Sequence, residues 1–311
     1  MDALVLRPAT PDDAGGGGNR SQAFLRAFEQ MVSNGSKTRC WATQHGWLLL
    51  VDPVSLHAML WDPESQVRVD LPRLADDLPK NCKCLLSHEK ATSHGCVLLV
   101  VDADRPVIRY CRVDPYTHHP RWYAHEYSFE GRPGFQVRSV AAALGDFYFP
   151  LSPTELVCME LMCYEFSPAP RFTTVEHQQV YLDPELPWDK APRHLVGSAD
   201  GEELLMVVQR CLSPYDGTYR RQNVYRMDFL NRRWTDVSRL RDRVLLLGPS
   251  HFSASFSASE LGLEDSCVYI VTPEMPMCVH DLKSPFYQRF HLRPADPVLS
   301  RMYTLAANAC G

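Results

Sequence analysis

The chain has 311 residues, 45% of them hydrophobic and 10% aromatic, and a formal net charge of −5. These values belong to a soluble globular protein with a real core, in one large all-β domain or two smaller ones. No basic block stands out, so nucleic acid is a poor partner. The longest apolar runs, Trp47–Val51 and Cys96–Val101, are strand length and short of the roughly 20 residues that span a bilayer as a helix.

Met1–Arg20 is rich in Pro, Asp and Gly, with consecutive glycines at Gly15–Gly18, and reads as a disordered arm. Ser21–Val32 places Phe24, Leu25, Phe28, Met31 and Val32 at helical spacing, with Ser21 as cap and Asn34-Gly35 as stop. Residues 1–39 are therefore expected to be an arm plus a short helix. From Cys40 the texture changes to strands and turns. "GWLLLVD" and "AMLWDPESQVRVDLP" form a pair, with a turn at Trp61-Asp62-Pro63-Glu64-Ser65. "CKCLLSHEK" and "CVLLVVDADRPVIRYCRV" follow, with a turn at Asp102–Pro106, and then "RWYAHEYSF", opened by Arg121 and Trp122. "QVRSVAAALGDFYFPLSPTELVCMEL", "RHLVGSADGEELLMVVQRCL" and "VYRMDFLNRRWTDVSRLRDRVLLLG" continue the pattern, and "MCVHDLKSPFYQRFHL" completes it.

The units start near Cys40, Cys82, Gln136, Arg193 and Arg243. A repeat of roughly 40–60 residues, each holding several short strands, is how β-propeller blades are written. The expected fold is all-β, a β-propeller of about five blades over residues 40–311. Trp61, Trp122 and Trp234 are expected to be buried between sheets, but they do not fall at equivalent places, and the Phe135–Val180 unit has no Trp. Ser167–Lys190 reads as a proline-rich insert and Ser213–Gln222 as a hairpin tip.

The stretches "VYRMDF…RRWTDVSRLRDRVLLLG" and "SASELGLEDSCVYIV" closely resemble the C-terminal signature of a plant F-box-associated β-propeller family. That family includes inhibitors of kinases in brassinosteroid signalling. Gly46–Pro72, Val107–Tyr127 and His194–Val208 are similar to it as well. The resemblance implies a propeller that binds protein without catalysis, related to ubiquitin-ligase substrate receptors. Residues 1–39 contain no Leu-Pro pair of the kind that opens an F-box, so a propeller without the F-box is expected. A propeller enzyme, hydrolase or lyase, with a site at the central channel is the alternative. A weakly constrained duplicate without defined activity is a third.

Eleven cysteines with no secretory signal ahead of them are expected to stay reduced, several inside apolar runs. Asp2, Asp12 and Asp13 argue against a transit peptide, so the expected location is cytoplasmic or nuclear. Cys82, Cys84, His88, His94 and Cys96 could supply a tetrahedral zinc, but the Cys-x-Cys spacing suits a buried strand pair, and no metal or other cofactor is expected. Ser87-His88-Glu89-Lys90 has a Ser-x-x-Lys form without partner motifs. Gly15–Gly18 has no strand before it and no Gly-Lys-Ser/Thr after it, so it reads as a linker. The partner-binding candidates are His118, His119 and Arg121 in one loop and Tyr219, Arg220 and Arg221 in another. Both loops mix aromatic and guanidinium groups, which anchor protein interfaces. The chain is expected to be a monomer that meets a protein partner.

Overall fold

The computed structural model describes residues 38–113, 120–161, 169–178, 193–198, 200–211, 220–248, 252–272, 275–283 and 287–289. Residues 1–37, with the expected helix over Ser21–Val32, lie outside the described residues. Five sheets follow one another along the chain. Blade one is β1 (Arg39–Ala42), β2 (Leu48–Val51), β3 (Ala58–Trp61) and β4 (Arg68–Leu71). Blade two is β5 (Cys82–Leu86), β6 (Val97–Asp102), β7 (Val107–Arg112) and β8 (Trp122–Glu126). Blade three is β9 (Ala141–Ala143), β10 (Asp146–Ser152), β11 (Glu155–Glu160) and β12 (Arg171–Glu176). Blade four is β13 (Arg193–Gly197), β14 (Leu204–Cys211), β15 (Arg220–Asp228) and β16 (Arg233–Asp236). Each is an antiparallel meander running outward from its first strand. This is the five-bladed propeller expected from the sequence, and the sheets begin within a few residues of the expected unit starts.

Period-two alternation explains why the sheets stack. In β10, Phe147 and Phe149 face blade two, whereas Tyr148 faces blade four. Both faces of the inner strands are apolar, so each sheet needs a neighbour on both sides. Five clusters of buried side chains fill the seams between blades five and one, one and two, two and three, three and four, and four and five. The seam that joins Trp61 and Leu48 of blade one to Leu246 and Phe252 of blade five closes the ring.

Blade five departs from the meander. It comprises β17 (Arg243–Leu247), β18 (Ser253–Ser257), β19 (Cys267–Thr272), β20 (Met275–Asp281) and β21 (Tyr287–Arg289), ordered β18-β17-β19-β20-β21. The chain enters at the second position, turns inward to β18, and returns so that β19 pairs parallel with β17. The composition accounts for this order. "RVLLL" in β17 is apolar enough for a fully covered position, whereas "SASFS" in β18 suits the crowded axis. A parallel pair needs a crossover, supplied here by the short helix α1 (Ala258–Leu261). Ser257 caps it by accepting the Glu260 N–H, and Gly262 ends it in the left-handed conformation. The Asp242 carboxylate ties α1 to the approach to β17, accepting the Ser259 N–H at 2.7 Å.

The tryptophans are more regular than their sequence positions suggest. Trp122, on the outer strand of blade two, donates its indole N–H at 2.8 Å to the carbonyl of Pro72, the residue after blade one's outer strand. Trp234, on the outer strand of blade four, directs its indole N–H to His177, the residue after blade three's outer strand. In blade three Phe172 takes this place and packs on Tyr127, the residue after blade two's outer strand. The unit without a Trp therefore keeps the contact with a Phe. Trp61 is buried as expected, but Trp122 and Trp234 are half-buried, because outer strands have only one covered face.

Hairpin turns repeat as well. Asp52, Asp62 and Asp228 each end a strand and accept a turn N–H two or three residues on. Leu56, Gln66 and Arg232, each four residues after the aspartate, are left-handed. Two expectations are corrected. Ser167–Lys190 is not wholly an insert, since Arg171–Glu176 forms β12 in register with β11. Arg220 and Arg221 are not at a loop tip but in β15, paired with Cys211 and Arg210.

Candidate binding site

The first strand of each of the first four blades, and β18 of blade five, lie at the axis. Small residues recur among them: Ala141–Ala143, Cys82 and Cys84, Gly197, Ser253 and Ser255. Gly197 shows how tight the fit is, since a Cβ there would stand 1.9 Å from the Ala142 carbonyl oxygen of the neighbouring blade.

Polar side chains peg these strands together. Gln44 donates to the Leu86 carbonyl at 2.6 Å and accepts the Leu86 N–H at 3.2 Å, joining blades one and two. Ser139, leading into blade three, accepts the Leu195 N–H of blade four at 2.8 Å. Ser253 of blade five donates to the Leu195 carbonyl at 2.5 Å. Lys83 is the centre of this hub. Its amine donates to the Val140 carbonyl at 2.7 Å and to the Ser253 hydroxyl at 3.3 Å. Blades two and five are not neighbours, so this side chain crosses the axis. It is 6% exposed, and burial pushes its pKa down to about 7 because an ammonium loses its hydration there.

Beside Lys83 the seam between blades two and three opens into a cavity of about 340 Å³. Asn81, Ala103 and Asp104 form one wall, and Gln136, Val137 and Arg138 the other. Asp104 holds the two walls in place. Its carboxylate accepts the Asn81 amide at 3.1 Å, and its carbonyl accepts the Gln136 amide at 2.7 Å. Lys83 was not singled out from the sequence. The available signal was a lysine in the middle of the otherwise apolar "CKCLL" strand.

Of the expected partner-binding residues, His118, His119 and Tyr219 lie outside the described residues, and Arg220 and Arg221 are placed by their backbone in blade four. Arg121 belongs to blade two, so the two groups are not brought together on adjacent blades. Arg121 is exposed, donates to the Tyr123 hydroxyl at 2.6 Å, and stands 5.0 Å over the Tyr123 ring. Tyr123 stacks on Tyr110 with centroids 5.4 Å apart.

The other constellations resolve into packing. Cys82, Cys84 and Cys96 are buried together in the seam between blades one and two, whereas His94 is exposed and His88 pairs with the Ser87 hydroxyl at 2.8 Å. Burial raises the Cys84 thiol, with Cys82 adding to the effect, and pushes Cys40 up to about 12. Such thiols are poor ligands and nucleophiles. Among the described residues, no group of three or more His, Cys, Asp or Glu side chains is placed to hold a metal ion. Ser87 accepts the Val97 N–H at 2.9 Å and ends β5, while Lys90 is exposed. No helix among the described residues is long and apolar enough to cross a membrane.

Comparison with known proteins gives one family match: residues 21–289 match the KIB1-4 beta-propeller. No curated protein matches. Among solved structures, the tricorn protease is similar at 10% identity and a TM-score of 0.32, over 68% of this chain and 18% of that one. A luciferin-regenerating enzyme is similar at 13% identity and 0.30, over 78% and 67%. The PQQ-bound aldose sugar dehydrogenase of Streptomyces coelicolor is similar at 14% identity and 0.29, over 83% and 78%.

Proposed function

The chain belongs to the KIB1-4 beta-propeller family, and from that premise we propose that it is a protein-binding platform that acts by recognition rather than catalysis. A propeller presents turns and outer strands on a rigid frame, which suits recognition. The observation that carries the reading is the layered Arg121–Tyr123–Tyr110 stack on blade two. Its guanidinium is exposed yet held over the phenol ring, so little side-chain freedom remains to be lost on binding. Arginine and tyrosine are the residues that anchor protein interfaces, and guanidinium groups favour carboxylates. The partner surface is therefore expected to be acidic.

The test is affinity purification of the tagged chain followed by titration of each recovered partner against purified wild type and Arg121→Glu. At least one partner should lose tenfold or more in affinity, about the value of an anchoring arginine. Unchanged affinity for every partner, with folding intact, would move the interface away from blade two.

A further inference from the structure

We propose that β4, the outer strand of blade one, pairs antiparallel with β4 of a second copy of this chain, across a two-fold axis through Val69. The two four-stranded sheets then join into a single sheet. This dimer takes the place of the monomer expected from the sequence, and it does not rest on the protein-binding reading. Asp62 donates its N–H to the Val67 carbonyl at 2.9 Å, and β3 sets Leu60 against Val69 and Ala58 against Leu71. Backbone bonds alternate along an antiparallel ladder, so Val67, Val69 and Leu71 turn their backbone groups toward β3. Arg68 and Asp70 turn theirs to the open edge, where they form a template for a further strand. Blade five carries such a further strand, since β21 pairs with β20 at the same place in its sheet.

The side chains decide which strand fits. Two copies of one edge strand pair antiparallel about an axis perpendicular to the sheet, so residues directly opposite each other point to the same face. Side chains alternate between faces, so opposed residues must stand an even number of positions apart in the sequence. The axis through Val69 sets Arg68 against the partner's Asp70, and Asp70 against the partner's Arg68. Val69 meets its own copy, and Val67, which is 39% exposed, meets the partner's Leu71. Opposite charges across a ladder stabilise it, whereas like charges destabilise it. Arg68 and Asp70 are both exposed, and neither side chain forms an ion pair among the described residues. The outer strands of the other three meander blades lack this match. Arg171 and Glu176 at β12, Arg233 and Asp236 at β16, and Arg121 and Glu126 at β8 stand at odd separations, so the two charges of each pair face opposite ways. Arg171 and Arg233 are also paired with Glu160 and Asp228 of their own blades. Charges on an edge strand keep copies apart when like meets like, but in β4 each charge meets its opposite. The contact is one strand wide, so the dimer belongs with the small interfaces that dissociate readily.

Sedimentation velocity of the full chain, from roughly 5 to 500 μM, reads the association. Wild type is expected to pass from a 35.4 kDa monomer toward twice that mass as concentration rises. Arg68→Asp and Asp70→Arg each set like charges against one another, and each should weaken association by about tenfold or more. A mixture of these two variants regains both opposite-charge pairs and should associate as wild type does. The double variant Arg68→Asp/Asp70→Arg, with the signs exchanged, should do the same. Wild type that stays monomeric at every concentration would overturn the proposal. So would single variants that associate as well as wild type. A mixture, or a folded double variant, that remains monomeric would overturn it too, because the loss would then not follow the pairing of charges.

Discussion

Phe149 and Gly197 belong to adjacent blades, yet they obey opposite volume rules. Phe149 is 1% exposed, in a seam where Phe129, Phe135 and Phe172 crowd round it at centroid distances of 5.6 to 6.4 Å. Blades diverge as they leave the axis, and large rings fill the widening gap. Gly197 sits where the blades converge, against the Ala142 carbonyl. Between blades three, four and five small residues such as Ala142 and Ser253 and short polar bridges take the place of rings, and backbone carbonyls that a sheet would leave bare are satisfied by Lys83, Gln44 and Ser253. A propeller of few blades therefore needs two kinds of joint. Seams are held by buried area, and the hub is held by hydrogen bonds whose loss strands buried polar atoms.

Truncation in a seam should have the largest effect. Phe149→Ala is expected to destabilise by about 3–5 kcal/mol, the usual cost of emptying a core aromatic site. Chemical denaturation monitored by fluorescence measures it. Trp234→Ala, at the half-buried outer edge of the next seam, should cost about half as much. Equal losses would mean that the outer strands carry as much of the seam as the inner ones. At the hub the sign of the volume change reverses. Gly197→Ala adds a single methyl and should cost about 1–3 kcal/mol through overpacking. A neutral result would show that blades three and four can separate at the axis without penalty.

Lys83 tests the polar half of the comparison. The unfolded chain keeps this proton up to about pH 10.4, whereas the folded protein releases it near 7. Between those values the unfolded state binds more protons, so this side chain makes stability rise with pH across that window. Lys83→Met should flatten that rise. It should also cost about 1–3 kcal/mol at pH 7, since the Val140 carbonyl is left without its donor. Denaturation midpoints at about pH 7 and pH 9.5, compared between wild type and variant, separate the two effects. An unchanged slope in the variant would place the titration elsewhere.

The ring was legible in the sequence because its signals are local. Alternation in "DFYF", the aspartate turns after Val51, Trp61 and Met227, and unit starts at Cys82 and Arg193 need no knowledge of distant residues. The inverted entry into blade five was not legible, since "RVLLL" followed by "SASFS" reads as any two successive strands. Only the crowding at the axis decides which of them goes inward. The equivalence of Trp122, Phe172 and Trp234 was hidden because each makes its contact with the preceding blade, about 50 residues earlier in a repeat of this kind. The hub was hidden for the same reason. Lys83 reaches Ser253 across 170 positions, and in the sequence it shows only as a charge out of place. The loops chosen for partner binding rested on composition, which places guanidinium groups in the chain but not on a blade, and Arg220 and Arg221 accordingly lie in a strand.

The smallest effect belongs to the aspartate turns, which lie outside both joints. Arg232 is exposed and holds φ at 50°, a left-handed conformation that costs a residue with a side chain about 1–2 kcal/mol. Its carbonyl accepts the Gln178 N–H at 2.9 Å, so the turn also touches blade three and cannot relax freely. Glycine adopts this conformation without strain, but it gives the unfolded chain more freedom, which takes back about 0.5–1 kcal/mol. Arg232→Gly should therefore raise stability by no more than about 1 kcal/mol. The neighbouring Asp228–Asn231 hydrogen bonds already fix the turn, so the gain should survive in high salt, where any loss of guanidinium charge is screened. A denaturation midpoint that falls in Arg232→Gly would mean that the arginine side chain, rather than its backbone, is what the turn requires.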